Sequence, residues 1–431
     1  MQQRRRIRPL RYRTMLRTAS WLALLALWAP LGAQDDQRDR IVRTDGSAVQ
    51  GRIVDPFADD EITVAQGGKR VRVPRSAIVR IDSVAMRLRA FLQRRTALKD
   101  SPKAQEFLID EAQRDGFPEL ARLQALWVVL HDDDNERAHT FLGHEKGSRG
   151  WLWQHDGRRM LLPALEESLQ KHPLRLVGER FALRCDAALR TNVAALFDLE
   201  HLGVAWIDRF GQELDLHEVL KPIEVVAHRN PSEFPKWGFR PIPYYVPAPY
   251  GDVARTFYAG SAPIRPERLF FVGTHALLYR TLIGELARQD ERDRVCAWLE
   301  IGFAMLMEHS MHGPAGFAAL GELDSKDLQA LQALGRNHRI THLLHLPMYG
   351  SFYLADTTET ATNWAAATMF VAWLSDPDNP AKTREPFLRY VRAALRDRKG
   401  DSSTAFDRTM GKRVEDYEEP WRAWLAKTAG Y

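Results

Sequence analysis

The chain has 431 residues, of which 45% are hydrophobic and 27% are charged, a composition that excludes a largely disordered protein and allows two or three domains. The formal charge is +5, but the first 33 residues hold seven arginines and no acidic residue, so the charge falls to −2 when they are set aside. A nearly neutral body gives no support to a nucleic-acid-binding surface.

Residues 1–33 have the pattern of a signal peptide. A basic segment precedes the apolar run Trp21–Ala33, which ends in small residues. Pro30 interrupts this run, which is shorter than the ~20 residues of a membrane-spanning helix. We therefore predict export to the periplasm or the cell exterior, with no stable membrane span after cleavage; an uncleaved anchor is the alternative. In an oxidising compartment Cys185 and Cys296 could form a disulfide or remain thiols, and the sequence leaves both open.

Residues 36–84 have the pattern of a small β-barrel of the Sm-like or SH3-like kind. The stretch alternates apolar and polar residues, and Asp45-Gly46 and Gly67-Gly68 are turn pairs that favour tight connections. No pattern of aromatic residues indicates a binding groove, so we interpret the module as docking or decorative. The predicted strands are Arg40–Arg43, Ala48–Val54, Glu61–Ala65, Arg70–Val73 and Ala77–Ile81.

Residues 85–172 predict a helical region that links this module to the rest of the chain. Apolar residues recur at helical spacing in Met86–Leu98 and Ala104–His131. The pair His144-Glu145 suggests a metal site, but Ser148 stands where a second histidine is needed, and nearby glycines disfavour a regular helix. We therefore interpret this stretch as a turn between elements.

From residue 173 onward the pattern mixes strands with long helices, so the whole chain is predicted to be α+β. The change from period-2 to helical spacing separates the elements, and proline and glycine mark the connections between them. The predicted elements are a strand at Glu179–Cys185, a helix at Thr191–Phe210 ending at Gly211, a strand at Pro222–His228, a loop at Pro241–Gly251, and helices after Pro266.

Two short stretches carry a resemblance to a known family. FVGTHAL (Phe271–Leu277) is followed by WLEIGFA (Trp298–Ala304), after two predicted strands and a long helix. In this order the pieces resemble the peptidase MA-like zinc metallopeptidases, a gluzincin group with H-E-x-T-H-x-L on one helix and W-L-x-E-G-x-A on the next. The resemblance covers residues 173–431, about 60% of the chain.

The resemblance implies a zinc ion held by two histidines one helical turn apart and by a glutamate on the next helix, with a second glutamate that activates water. Here Phe271 replaces the first histidine, Val272 the catalytic glutamate and Ile301 the glutamate ligand, while His275 keeps the place of the second histidine. Trp364 takes the place of a tyrosine that often leads a later helix. We expect the three carbon side chains to pack as apolar core, because one imidazole does not retain zinc. Without the resemblance, His275 would be an ordinary buried histidine.

Other residues are weak candidates for a metal site. His338 and His342 have the four-residue spacing of a ligand pair, with Arg339, a cation, where a general base would stand. Glu300 lies about 100° around a helix from Ile301 and is expected to face away from any such site. A zinc cofactor is therefore only the alternative to a protein without a cofactor.

Three hypotheses follow from the sequence. The first is an exported, catalytically inactive metallopeptidase homologue that binds, scaffolds or regulates an unidentified protein or peptide. The second is an active zinc-dependent hydrolase with displaced ligands drawn from His275, His338 and His342. The third is an unrelated α+β envelope protein, which a structure without a helix pair joining His275 to Ile301 would favour.

Overall fold

A computed structural model gives the fold and confirms the α+β class. The described part of the chain excludes the predicted signal peptide, the turn pair Gly67-Gly68 and His338. The structure describes residues 39–53, 56, 60–66, 69–98, 101–216, 219, 221–229, 236–237, 240–241, 243–248, 251–257, 266–283, 296–309, 339–353, 357–379, 381–396 and 402–428.

An antiparallel five-stranded sheet lies near the N-terminus, with β4 and β5 at its edges and the order β4-β3-β2-β1-β5. Its core is a small apolar cluster centred on Ile41, Ile62 and Val64, all fully buried. The alternating pattern that predicted five strands is therefore confirmed, since one face packs and the other is wet. The strands are β1 (Asp39–Arg43), β2 (Ala48–Ile53), β3 (Glu61–Gln66), β4 (Lys69–Pro74) and β5 (Ile78–Asp82).

The next region is helical but differs from the sequence prediction in one helix. The predicted helix Ala104–His131 is three helices, because Gly116 takes a φ of +81° and Pro118 begins the last of them. The helices are α1 (Val84–Ala97), α2 (Pro102–Gln105), α3 (Phe107–Arg114), α4 (Pro118–His131), α5 (Glu136–Leu142) and α6 (Leu162–Leu169).

The stretch between α5 and α6 is a three-stranded antiparallel sheet and not a turn, which corrects the sequence interpretation. Its strands are β6 (Glu145–Gly147), β7 (Gly150–His155) and β8 (Arg158–Met160), in that spatial order. Asp156 and Gly157 join the last two with φ of +49° and +72°, the backbone that a two-residue hairpin turn of type I′ requires.

A mixed five-stranded sheet forms the centre of the C-terminal part, in the order β14-β15-β11-β10-β9. Strand β11 is parallel to both of its neighbours, and the helix α7 (Leu189–Leu214) connects β10 to β11. The strands are β9 (Arg175–Val177), β10 (Phe181–Cys185), β11 (Ile223–His228), β14 (Tyr244–Val246) and β15 (Val253–Phe257), with a short hairpin of β12 (Lys236–Trp237) and β13 (Arg240–Pro241).

Two further predictions in this part were wrong in detail. The helix α7 continues past Gly211 and ends at Asp215, which has a left-handed φ of +53°. Leu214 is fully buried, so burial of the last turn outweighs the preference of glycine for a helix end. The predicted loop Pro241–Gly251 contains the edge strand β14, which pairs with β15 through Tyr245 and its neighbours.

Helices follow β15 to the end of the described chain. The helix α8 (Pro266–Leu278), which continues as a wider turn over Tyr279–Ile283, packs on α7 and on the next helix, α9. None of the described helices is both long and apolar enough to cross a membrane. The remaining helices are α9 (Ala297–His309), α10 (Ile340–Leu343), α11 (Thr357–Ser375), α12 (Arg384–Val391), α13 (Ser402–Met410) and α14 (Glu418–Thr428).

The two cysteines are thiols and not the halves of a disulfide. Cys185 is buried in β10, whereas Cys296 precedes α9 with its Sγ 3.7 Å from the hydroxyl of Tyr390. No disulfide therefore joins Cys185 to Cys296 in this structure, which answers the question that the sequence left open.

Candidate functional site

The residues of the FVGTHAL motif lie in the middle of α8 and are buried. Phe271 is 1% exposed, Val272 is fully buried and His275 is 3% exposed. Phe271 and His275 lie one helical turn apart, and their ring centroids are 4.7 Å apart with an angle of 38° between the rings. The spacing thus places both motif positions on one face of the helix, as expected for residues four apart.

The helix α9 carries Ile301 and packs directly against α8. Ile301 is fully buried, and the neighbouring Gly302 lies close to α11. A Cβ at this glycine would lie 2.5 Å from Val371 Cγ2 and 2.8 Å from the carbonyl oxygen of Ala367, so a larger residue would push the helices apart. The two motif helices are therefore neighbours, as the resemblance implies.

The aromatic ring of Phe271 also packs on α11. It stacks on Trp364 with ring centroids 5.0 Å apart and an angle of 13°, and the indole N–H of Trp364 donates to the carbonyl oxygen of Phe352 at 2.9 Å. Phe271 thus packs against an imidazole and an indole. Offset stacking of this kind stabilises a core beyond simple burial.

The carboxylate of Glu300 on α9 is buried and has a hydrogen-bond partner. Glu300 is 3% exposed and accepts a hydrogen bond of 2.9 Å from the hydroxyl of Tyr279, which lies one turn beyond His275. Glu300 therefore faces the continuation of α8 and not the solvent. Tyr279 lies four residues after His275, so the sequence places both polar side chains on one helical face. The sequence does not indicate that Glu300 on α9 is the partner of Tyr279.

Of the second pair of candidate histidines, the structure describes His342. His342 is exposed on α10, which starts only at Ile340, and Arg339 has an extended backbone. His338 lies outside the described residues. Within the described ranges, no group of three or more histidine, cysteine, aspartate or glutamate side chains is close enough to hold a metal ion.

A second buried carboxylate belongs to Glu200 on α7, which is part of none of the sequence motifs described above. Its Oε1 accepts hydrogen bonds from the backbone N–H groups of Arg180 at 2.9 Å and Phe181 at 3.0 Å, next to the start of β10. Its Oε2 is buried and has no hydrogen-bond partner among the described residues. Burial raises the pKa of Glu200 to about 7, although the nearby Arg180 and the two N–H groups oppose the shift.

We expect Glu200→Gln to reduce the pH dependence of the free energy of unfolding. Because the pKa rises from 4.5 to about 7 in the folded chain, the contribution of Glu200 is complete below about pH 4.5 and is lost as the pH rises through 7, by about 3 kcal/mol. Urea unfolding at these two pH values should therefore show a larger fall in stability for the original chain than for Glu200→Gln. The exposed Glu167→Gln serves as the control, and identical pH profiles for Glu200→Gln and the original chain would contradict the assignment.

Comparisons with protein-family models, with curated proteins and with solved structures find no match to this chain. The relationship to zinc metallopeptidases therefore stays a prediction that rests on the motif residues and their order along the chain.

Proposed function

We propose that this chain is an exported, catalytically inactive homologue of the zinc metallopeptidases and that it acts by binding a protein or peptide partner. The observation that carries the proposal is the burial of carbon side chains where the family places donor atoms. Phe271, Val272 and Ile301 are each no more than 1% exposed. Zinc needs nitrogen, oxygen or sulfur ligands, and a catalytic zinc also needs an open position for water.

The packing of these side chains supports the same conclusion. Phe271 packs against both His275 and Trp364, so the place of the first histidine is occupied by a buried aromatic ring. Hydrolysis requires a water molecule beside the metal and a base within hydrogen-bond reach. Valine at position 272 has no atom that can accept a proton.

The alternative, an active hydrolase with displaced ligands, requires His275 and His342 to approach one metal ion. His275 is buried in α8, whereas His342 is exposed on the four-residue helix α10. This difference in burial favours the inactive homologue.

The test is an assay for hydrolysis of fluorescein-labelled casein by the purified protein with added zinc. We expect no release of labelled peptide above the protein-free blank. Hydrolysis that His275→Phe abolishes, and that exposed His172→Phe leaves intact, would contradict the proposal and support the displaced-ligand alternative. Phenylalanine is chosen because it preserves most of the volume of the buried ring while removing its lone pairs.

A further inference from the structure

A cavity of about 500 Å³ lies between α4, the end of α5, the strand β7, α6 and the edge strand β9. Its volume is that of a small-molecule or short-peptide pocket. Its lining includes four buried apolar side chains, none of them more than 5% exposed: Leu123, Leu165, Leu176 and Trp153. None of the residues around it belongs to α8 or α9.

The arginines that line this pocket are Arg122 and Arg175, and Glu119 is the acidic residue among its lining. Arg122 on α4 is exposed and has no ion-pair partner within the part of the chain that the structure describes. Arg175 on β9 donates through its Nε to Glu224 Oε1 at 2.7 Å, and Glu224 followed by Glu119 raises its pKa. Arg122 is thus the cation at the rim that remains available to an anionic ligand.

The pocket is also lined by His144, whose tautomer follows from its hydrogen bond to His139. His139 Nε2 lies 3.0 Å from the carbonyl oxygen of Asp133, which can only accept, so this nitrogen carries the proton. The Nδ1 of His139 is then the acceptor of the 2.8 Å contact from the Nδ1 of His144. In a neutral His144 the proton therefore lies on Nδ1, and its Nε2 is a hydrogen-bond acceptor.

The surroundings keep this imidazole in place and neutral. The ring of His144 packs on Trp153 with centroids 4.1 Å apart, and burial followed by the neighbouring His139 lowers the pKa of His144 to about 4. The side chain of His144 forms no other hydrogen bond in the described structure, so its Nε2 is available to a donor from a ligand. A second imidazole of the pocket, His155, is 9% exposed, and its buried Nε2 has no hydrogen-bond partner in the described chain.

The pocket offers a cation at Arg122, a hydrogen-bond acceptor at His144 Nε2 and several leucine side chains. A matching ligand therefore has an anionic group, an N–H donor and an apolar group. We propose that this pocket binds N-acylated α-amino acid carboxylates with an apolar side chain, the chemistry shared by a peptide C-terminus and a free N-acyl amino acid. The carboxylate pairs with Arg122, the amide N–H donates to His144 Nε2, and the side chain lies against Leu123, Leu165 and Leu176. The proposal does not depend on the loss of hydrolytic chemistry at α8, since no residue is shared.

The test is calorimetric titration of the full chain with acetyl-Ala-Ala-Leu and two analogues. One analogue has a C-terminal amide in place of the carboxylate, and the other has an ester oxygen in place of the leucine N–H. We expect binding of the acid, with Kd about tenfold or more weaker for the amide, because a charge-assisted hydrogen bond is lost. The ester should bind several-fold more weakly than the acid. N-acetyl-leucine separates the two sources: affinity equal to that of the tripeptide indicates a free N-acyl amino acid, and weaker affinity indicates a peptide end.

Two variants assign the contacts. Arg122→Ala should bring the acid down to the affinity of the amide, whereas Arg114→Ala, another exposed arginine outside the pocket, should change nothing. His144→Phe should preserve stacking on Trp153 and abolish the difference between the acid and the ester. Absence of binding, equal affinity for the acid and the amide, or an unchanged preference in Arg122→Ala would overturn the proposal.

Discussion

Replacing Ile301 by glutamate is expected to lower the free energy of unfolding by about 3–5 kcal/mol, the loss typical of an uncompensated buried charge. Ile301 is fully buried on α9, and a Cβ added at the adjacent Gly302 would lie only 2.5 Å from Val371 Cγ2 on α11. The tight packing leaves little room to hydrate a carboxylate. Glutamate is the residue type that the metallopeptidase family uses as a zinc ligand, so the substitution tests whether position 301 is packed core or part of an open cleft.

The control for this prediction is Ile301→Leu, which conserves volume and should cost less than about 1.5 kcal/mol. Because burial favours the protonated form of a carboxyl group, the loss in Ile301→Glu should be larger at pH 8 than at pH 5. Urea unfolding with and without zinc measures both effects. A glutamate variant as stable as the original chain, or one that zinc stabilises while the leucine variant is unaffected, would contradict the interpretation of position 301 as packed core.

Truncating Phe271 to alanine should cost about 3–5 kcal/mol, the range for removing a buried phenylalanine. The side chain is 1% exposed and packs against the rings of His275 and Trp364, so its removal leaves a cavity that neither ring can fill without moving. Thermal or urea unfolding measures the loss. If this position were part of an open substrate cleft, as in an active peptidase, truncation would cost far less.

An exposed phenylalanine provides the matched comparison. Phe107 is 45% exposed at the start of α3, and Phe107→Ala should cost clearly less than the buried truncation. A double-mutant cycle of Phe271→Ala with Trp364→Ala should give a coupling of about 0.5–1.5 kcal/mol for the stacked pair. Equal losses at the two phenylalanines, or no coupling to Trp364, would argue against a packed aromatic core at the motif.

The N-terminal sheet could be predicted from the sequence because local rules agreed. Alternation of apolar and polar residues in β1 to β4, with Asp45-Gly46 between the first two strands, leaves few other structures. The sheet β6-β7-β8 was missed although Asp156-Gly157 is the same kind of turn signal. The pair His144-Glu145 resembles half of a metal motif, and the glycines beside it favour a turn. The local pattern therefore predicts a turn and not a sheet.

Elsewhere tertiary packing outweighed the local signal. Gly211 suggested the end of α7, but Leu214 and Leu216 are fully buried, so the chain gains more by one further helical turn. Tyr245 lies in a proline-rich stretch that predicts a loop, and pairing with β15 makes it an edge strand. Such outcomes depend on neighbours far along the chain, which single-sequence patterns do not contain.

The candidate site was predictable in part. Spacing alone places Phe271 and His275 on one helical face, and the second motif locates Ile301 on a later helix. Neither motif indicates that Trp364 stacks on Phe271 or that Tyr279 donates to Glu300. The pocket at β9 was not predicted at all, because its residues come from five elements spread over residues 119–177 and only the fold brings them together.

We propose that carbon side chains occupy the places of zinc ligands at α8 and α9. The most direct measurement is the metal content of the purified protein after equilibration with zinc and gel filtration, compared with that of His275→Phe. We predict far less than one zinc per chain in both proteins. One zinc per chain in the original protein, lost in His275→Phe but kept in His172→Phe, would contradict the claim.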